Sequence, residues 1–410
     1  MRVFLRGELL RRKLWEVTSS CLENAFWSVS TISSKPKKIL VDAIPFDHGM
    51  SGISVYTMQV VCALVRAGHS VTVLVTKEDA ANFVGCNVIL APRSAGRPLG
   101  SILFHAFKLP KILKKGDYDF CLVTAANRRF PRQCPIPVLG TVHDLAQCRL
   151  RGKYDRFRNF YLNHILARWV RNGATRVIAI SKSTRQDIMD FWKIPQERIS
   201  LIYNGLSLVN EEKPGFLEKY GLEKGKYILY VSRLEYPSKN HLRLIKAFEK
   251  LPKELTQEYS LVMVGSPWKN FSVLDNYVKN SPLRDHIKFT GFVPSEYMPE
   301  AYRSAALYVF PSCYEGFGLS LVEAMHYGCP CCCSNNSSLG EIGKDAALLF
   351  SPYHTDAIYK AILTILENKD NIREKLVEAG HKREEQFDWN HHAAEIVHAF
   401  EQAQAKANFN

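Results

Sequence analysis

No stretch of this chain approaches the 18 or more consecutive apolar residues that a membrane-spanning helix needs. The amino terminus also lacks the continuous apolar core of a signal peptide, so the protein is expected to stay on the cytoplasmic side. No Gly-x-Gly-x-x-Gly follows the first apolar strand, which argues against a nicotinamide-dependent dehydrogenase. The eleven cysteines show no small-domain spacing, and many sit in apolar stretches, as reduced thiols do. Four of them crowd into Cys329-Pro330-Cys331-Cys332-Cys333, which invites a metal reading. Consecutive strand residues point to opposite faces, and no complementary His or Cys pair accompanies them, so a short buried strand is the expectation and no metal site is assigned.

What is present is a long chain with enough apolar residues for two cores. At 410 residues and 46% hydrophobic, two domains are expected. Residues 38 to 203 alternate strand and helix, beginning with the apolar, β-branched Lys38 to Ile44 and followed by a helix from Ile53 to Arg66 that closes at Gly68. Further strands are expected at 70–75, 118–124, 138–142, 176–180 and 199–203, with helices at 101–114, 154–171 and 182–192. A second series starts at Lys226, with strands at 227–232, 260–265, 287–290, 307–311 and 330–334 and helices at 239–251, 295–304 and 318–328. The Asn-Gly, Lys-Pro-Gly and Lys-Tyr-Gly punctuation from Asn204 to Gly225 reads as a linker. The fold class predicted is α/β, two Rossmann-like doubly wound domains with ligand sites at the strand carboxyl ends.

The most specific signal is Pro311-Ser312-Cys313-Tyr314-Glu315-Gly316-Phe317-Gly318-Leu319-Ser320-Leu321-Val322-Glu323-Ala324-Met325. Two helical residues eight apart stand about 80° out of phase, so two glutamates at this spacing would not share a helix face. Glu315 belongs in the turn before the helix, with Glu323 inside it. A ligand at the helix start then meets one carboxylate from the loop and one from the helix. Backbone N–H groups of Phe317, Gly318 and Leu319 face any phosphate it carries. About 80 residues earlier, Arg233 and Lys239 follow the first strand of the second series, and two cations beside a diphosphate neutralise charge on a leaving group.

Together these segments resemble the retaining, nucleotide-sugar-dependent glycosyltransferases of family 4, the group 1 glycosyltransferases, and the resemblance covers roughly residues 38 to 387. It implies the GT-B architecture: two Rossmann-like domains facing across a cleft, with a final helical stretch, about 389 to 407, crossing back onto the amino-terminal domain. The domains implied are a 1–37 extension, an acceptor domain 38–205, a linker 206–225, a nucleotide-sugar domain 226–387 and a crossover helix 388–410. By the same resemblance, Glu315 lies against the donor sugar and Glu323 takes the ribose hydroxyls, with Arg233 and Lys239 on the diphosphate beside Gly316, Phe317, Gly318 and Leu319. Gly49-Met50-Ser51-Gly52 resembles the family's glycine loop, so Gly49, Ser51 and Gly52 are expected at the donor. His143, at a strand end, is expected near the donor sugar as a catalytic residue, and Asp144 either orients its ring or approaches the acceptor.

The implied reaction is transfer from a nucleotide-diphosphate sugar, a co-substrate and not a cofactor, to an acceptor hydroxyl with retention. The cations make a divalent metal unnecessary. Ser320, where the family often has Pro, and His326, where it has a small residue, depart from the pattern. A catalytically idle carbohydrate-binding or assembly subunit of the same fold is the alternative, though it would usually have lost one of Glu315, Arg233, Lys239 or His143.

Charge is uneven along the chain. From Arg97 to Arg171 there are 15 Lys and Arg against 4 Asp, within a net charge of +14. Lys108, Lys111, Lys114 and Lys115 beside Phe104, Phe107, Leu109 and Ile112 suit an anionic membrane surface. Nucleic acid competes as an explanation but brings no motif, and a solvated basic face is the plain alternative. Residues 1–37, where Arg2, Arg6, Arg11, Arg12 and Lys13 mix with Leu9, Leu10, Leu14 and Trp15, read as an interfacial amphipathic helix. A glycan or lipid-linked acceptor, as in surface polysaccharide or glycolipid assembly, follows from these readings.

Overall fold

The computed structural model describes residues 35–44, 46–47, 51–150, 152–209 and 211–408. The amphipathic reading of the first 34 residues, and the expectation for Gly49, lie outside them. The chain forms two compact units, one made of residues up to Ser207 together with Asp388 onward, the other of Leu208–Phe387.

The first unit is built on a seven-stranded sheet in the order β3-β2-β1-β4-β5-β6-β7, every neighbour parallel. Its strands are β1 (Lys38–Asp42), β2 (Ser70–Thr76), β3 (Asn87–Ala91), β4 (Phe120–Val123), β5 (Val138–Val142), β6 (Arg176–Ala179) and β7 (Ile199–Leu201). Helices α1 (Gly52–Arg66) and α4 (Lys182–Trp192) are regular. Helices α2 and α3 each carry a π-helical turn. In α2 the segments are Pro98–Leu103, Phe104–Lys108 and Leu109–Lys115, with the π-turn in the middle. In α3 they are Arg156–Phe160, Tyr161–Leu166 and Ala167–Gly173.

Inward side chains of α2, α3 and α4, among them Leu109, Leu113, Leu166, Val170 and Ile188, share one core with Leu40, Val123, Val142 and Val177 of the strands. Phe104 and Leu109 are buried there, which corrects their expected place at a membrane surface. The outward apolar residues of α2 are instead Leu99, Leu103 and Phe107.

The last helix belongs to this unit. With five shorter helices of the second unit taken first in chain order as α5 (Phe216–Tyr220), α6 (His241–Phe248), α7 (Met298–Arg303), α8 (Leu319–His326) and α9 (Ser337–Ile342), it is α10 (Trp389–Asn408). Its apolar residues Ala393, Ile396, Val397 and Phe400, at helical spacing, are all buried. Phe400 packs on Phe120 of β4 with ring centroids 4.5 Å apart, and Lys37 pairs with Glu401 at 2.9 Å. A buried polar chain fixes the helix to the sheet: His392 Nδ1 donates to the Tyr203 carbonyl at 2.7 Å, while its Nε2 lies 3.1 Å from the Tyr56 hydroxyl, itself 2.8 Å from Thr141 Oγ1.

The second unit holds a six-stranded parallel sheet, β10-β9-β8-β11-β12-β13. Its strands are β8 (Tyr227–Val231), β9 (Ser260–Val264), β10 (Ile287–Gly291), β11 (Leu307–Phe310), β12 (Cys331–Ser334) and β13 (Leu348–Phe350). The cysteine cluster is the buried strand β12, paired on both sides. Part of the stretch read as linker is structured: α5 packs on α7, and Glu300 accepts the Gly215 and Phe216 amides at 2.7 and 2.6 Å. Both sheets therefore have the doubly wound order. Strand order reverses between β1 and β4 in one unit and between β8 and β11 in the other, where crevices at strand carboxyl ends take ligands.

Candidate active site

In the second unit the predicted residues gather at the carboxyl ends of β8 and β11. The loop after β8 carries Arg233 and Lys239, and the loop after β11 carries Glu315. Lys239 Nζ lies 2.6 Å from Glu315 Oε1, both side chains only 16% exposed. Two networks hold the loops in place. Tyr230 donates its hydroxyl to the Lys239 carbonyl at 2.8 Å, and Asn240 Nδ2 bridges the carbonyls of Pro311 and Pro352 at 2.8 and 2.7 Å. On the other side, Ser337 Oγ accepts the Glu315 amide at 3.1 Å, and Ser338 Oγ meets the carbonyls of Glu315 and Phe317 at 2.9 and 2.7 Å.

Arg233 stands in the same loop with its guanidinium over the Trp268 ring. Gly318 adopts φ 116° at the start of α8, and a Cβ there would meet Leu339 Cδ2 at 2.7 Å, so this turn needs glycine. No side chain caps α8, whose amino end follows directly on the Glu315 turn. Leu319 opens the helix, whereas the Phe317 side chain is buried against Phe387. The loops thus present two cations, an uncapped helix start and a carboxylate able to bind hydroxyls, chemistry that suits an anion.

Glu323 lies inside α8, half-buried, and accepts the Tyr302 hydroxyl at 2.7 Å. Burial raises its carboxyl above the ordinary value, and the Tyr302 bond works against that rise. Ser320 accepts the Tyr308 hydroxyl at 2.8 Å, a bond that a proline there would forgo. His326 pairs with Glu384 at 3.1 Å.

In the first unit, His143 follows β5 and its Nε2 donates to the Thr124 carbonyl at the end of β4, 2.7 Å away. Burial pushes the imidazole down to about 4, so it is neutral near pH 7. The Asp144 carboxylate accepts the Ala146 amide at 3.0 Å and so caps the chain beyond β5; the ring of His143 takes its orientation from Thr124. Ser51 is the amino-terminal cap of α1, its hydroxyl accepting the Ser54 amide at 3.4 Å, and Gly52 is the first residue of that helix. Gly52 faces open space where a Cβ would lie.

Sequence reasoning passed over Asn240, Ser337, Ser338, Tyr302 and Trp268. Nothing local in any of these residues reports a bond to a partner far along the chain.

The comparisons with known proteins agree with this fold. The family model "Glycosyl transferases group 1" matches residues 213–383, and "Glycosyltransferase Family 4" matches residues 50–209. Among relatives, O-antigen chain mannosyltransferase B of Escherichia coli is 31% identical over 291 residues, covering 69% of this chain and 75% of the relative. An uncharacterized glycosyltransferase of Methanocaldococcus jannaschii is 27% identical over 375 residues, covering 86% and 94%. Among solved structures, sucrose-phosphate synthase from Thermosynechococcus elongatus superposes with a TM-score of 0.70 at 20% identity, covering 90% of this chain and all of that one. Anabaena HepE in complex with UDP and glucose gives 0.67 at 17%, covering 91% of this chain and 100% of HepE. The chain belongs to the group 1 glycosyltransferases of family 4, and its fold is GT-B.

Proposed function

We propose that the protein transfers a hexose from a nucleotide-diphosphate sugar to a hydroxyl of a glycan or lipid-linked acceptor, with the anomeric configuration retained. The observation that carries this is the Lys239–Glu315 pair at the carboxyl ends of β8 and β11, with Arg233 on the same loop as Lys239. On this reading Arg233, Lys239 and the start of α8 take the diphosphate, Glu315 the sugar hydroxyls and Glu323 the ribose. As the bond from the anomeric carbon to the phosphate oxygen breaks, the cations stabilise the departing diphosphate. The acceptor oxygen bonds the same carbon from the same face, and its proton passes to the leaving phosphate. His143, neutral and held by Thr124, serves as a hydrogen-bonding group at the sugar. Asp144 stands on the acceptor side, and Ser51, Gly52 and Gly49 belong to the donor loop. The cations meet the diphosphate's charge, so the reading calls for no divalent metal or cofactor.

The mannosyltransferase name of the Escherichia coli relative supports a hexose and an O-antigen type of acceptor. The UDP bound in HepE supports a nucleoside diphosphate. An idle subunit is less well supported, because Lys239 and Glu315 are present and already joined. We place the protein on the cytoplasmic side, docked on anionic lipid. No helix among the described residues is long and apolar enough to cross a membrane. The docking face is the outer side of α2, where Leu99, Leu103 and Phe107 are 68%, 52% and 54% exposed beside exposed Lys108, Lys111, Lys114 and Lys115.

The test is a panel of nucleotide sugars screened for thermal protection of the full chain, followed by NMR of the glycoside formed. Protection by one nucleotide sugar and a product of unchanged anomeric configuration are expected. An inverted product removes the retaining mechanism, and no protection by any donor removes the reading.

A further inference from the structure

We propose that Trp268 is a positioning residue for Arg233, holding its guanidinium at the β8 edge in the orientation the donor diphosphate requires. The inference rests on the glycosyl-transfer reading above. The Arg233 guanidinium carbon lies 5.2 Å from the centre of the Trp268 ring, and one of its nitrogens is 3.7 Å from Glu235 Oε2. Arg233 is 53% exposed, and a long side chain at that exposure would otherwise spread over many rotamers. An indole face and a carboxylate edge together restrict it, by cation–π attraction on one side and charge on the other.

The backbone is built to bring the two residues together. Past the ends of β8 and β9 the two loops continue side by side, with Ser232 N donating to Val264 O at 2.9 Å and Leu234 N to Ser266 O at 3.0 Å. Trp268 N then donates to Leu234 O at 3.1 Å and Tyr236 N to Lys269 O at 3.2 Å. Gly265 makes this approach possible. Its φ is +150°, and a Cβ there would fall 1.8 Å from the Ser232 carbonyl oxygen, beside the Arg233 amide. Glu235 is 5% exposed and accepts the Ser238 hydroxyl at 2.9 Å, so the carboxylate beside Arg233 is itself fixed. Trp268 is 53% exposed. An exposed tryptophan carried on a loop so closely bonded to the Arg233 loop has a use that core packing does not supply.

The experiment is calorimetric titration of the full chain and its W268A, W268F, R233A and R233A/W268A variants with GDP, UDP, ADP and the matching nucleosides. Because the indole is exposed, the variants are expected to keep the wild-type melting temperature. Trp268→Ala should raise the diphosphate Kd roughly tenfold and leave nucleoside binding unchanged, while Trp268→Phe restores most of the affinity. The double variant should bind no more weakly than R233A alone. Wild-type affinity in W268A overturns the proposal. So does a loss that adds in full to that of R233A or appears equally with nucleosides, since the indole would then act on the base without Arg233. If R233A itself binds every diphosphate as the wild type does, the assignment of Arg233 to the diphosphate fails first, and the two failures are told apart.

Discussion

The ammonium group of Lys239 lies 2.6 Å from Glu315, although the two residues are 76 positions apart in the chain. They meet because β8 and β11 are hydrogen-bonded neighbours, so the loops after them emerge side by side. On the proposed reading, this sheltered ion pair keeps a carboxylate and a cation together where a sugar and its phosphate would adjoin, each neutralising the other until a donor arrives. Lys239→Ala should lower kcat/KM by about 10² to 10³-fold. It leaves Glu315 unpaired, so Glu315→Gln on the Lys239→Ala background should cost less than Glu315→Gln alone. A double-mutant cycle in steady-state kinetics measures this coupling.

Glu323 gives a pH dependence of opposite origin to that of an exposed acid. Burial raises its carboxyl, and on the proposed reading it is the ionised form that would accept two ribose hydroxyls. Donor KM should therefore rise on acidification at a pH above that of an ordinary glutamate. Tyr302→Phe, which removes the bond favouring the ionised form, should move that rise to still higher pH. KM measured against pH for both proteins checks the sign.

Three buried histidines make the folded state sensitive to acid. His143 and His392 are pushed down to about 4 and His241 to about 3 by burial, against 6.5 for an ordinary imidazole. Between those values the unfolded chain binds protons that the folded chain does not. Stability is therefore full above about pH 6.5 and falls as pH drops toward the folded values, by up to ~1.4 kcal/mol per pH unit for each histidine. Melting temperatures from pH 7 to 5 should show the decline, and His392→Gln should flatten it.

The outer face of α2 predicts lipid binding. With Leu103→Glu and Phe107→Glu together, the full chain should lose most of its co-flotation with vesicles containing phosphatidylglycerol and keep its melting temperature. Both side chains are more than half exposed, so folding is spared. Equal flotation of variant and wild type would move the docking site elsewhere.

The alternation of apolar strands and amphipathic helices made both Rossmann-like sheets legible, because strands such as β1 and β4 through β6 are almost wholly buried and mostly apolar. Two strands escaped notice at the margins. β3 is an edge strand with only Ala91 buried, and β13 is three residues long. The positions of Arg233, Lys239, Glu315 and Glu323 were readable from motif spacing. Their supports were not, since Ser337, Tyr302 and Trp268 reach them only through tertiary contacts. The outward apolar residues of α2 were misplaced for a related reason. The segment read as basic and apolar throughout, and only its packing shows that Phe104 and Leu109 turn inward while Leu103 and Phe107 turn out.

The chain leaves its first unit at Ser207, completes the second, and returns at Asp388. On the ribosome, the stretch Leu208–Phe387 is thus whole before the sheet that precedes it has received α10. Tyr56, made early, waits for His392, made only after the whole second unit, and a chain stopped just past Phe387 would leave the earlier-made sheet unfinished while sparing the later one.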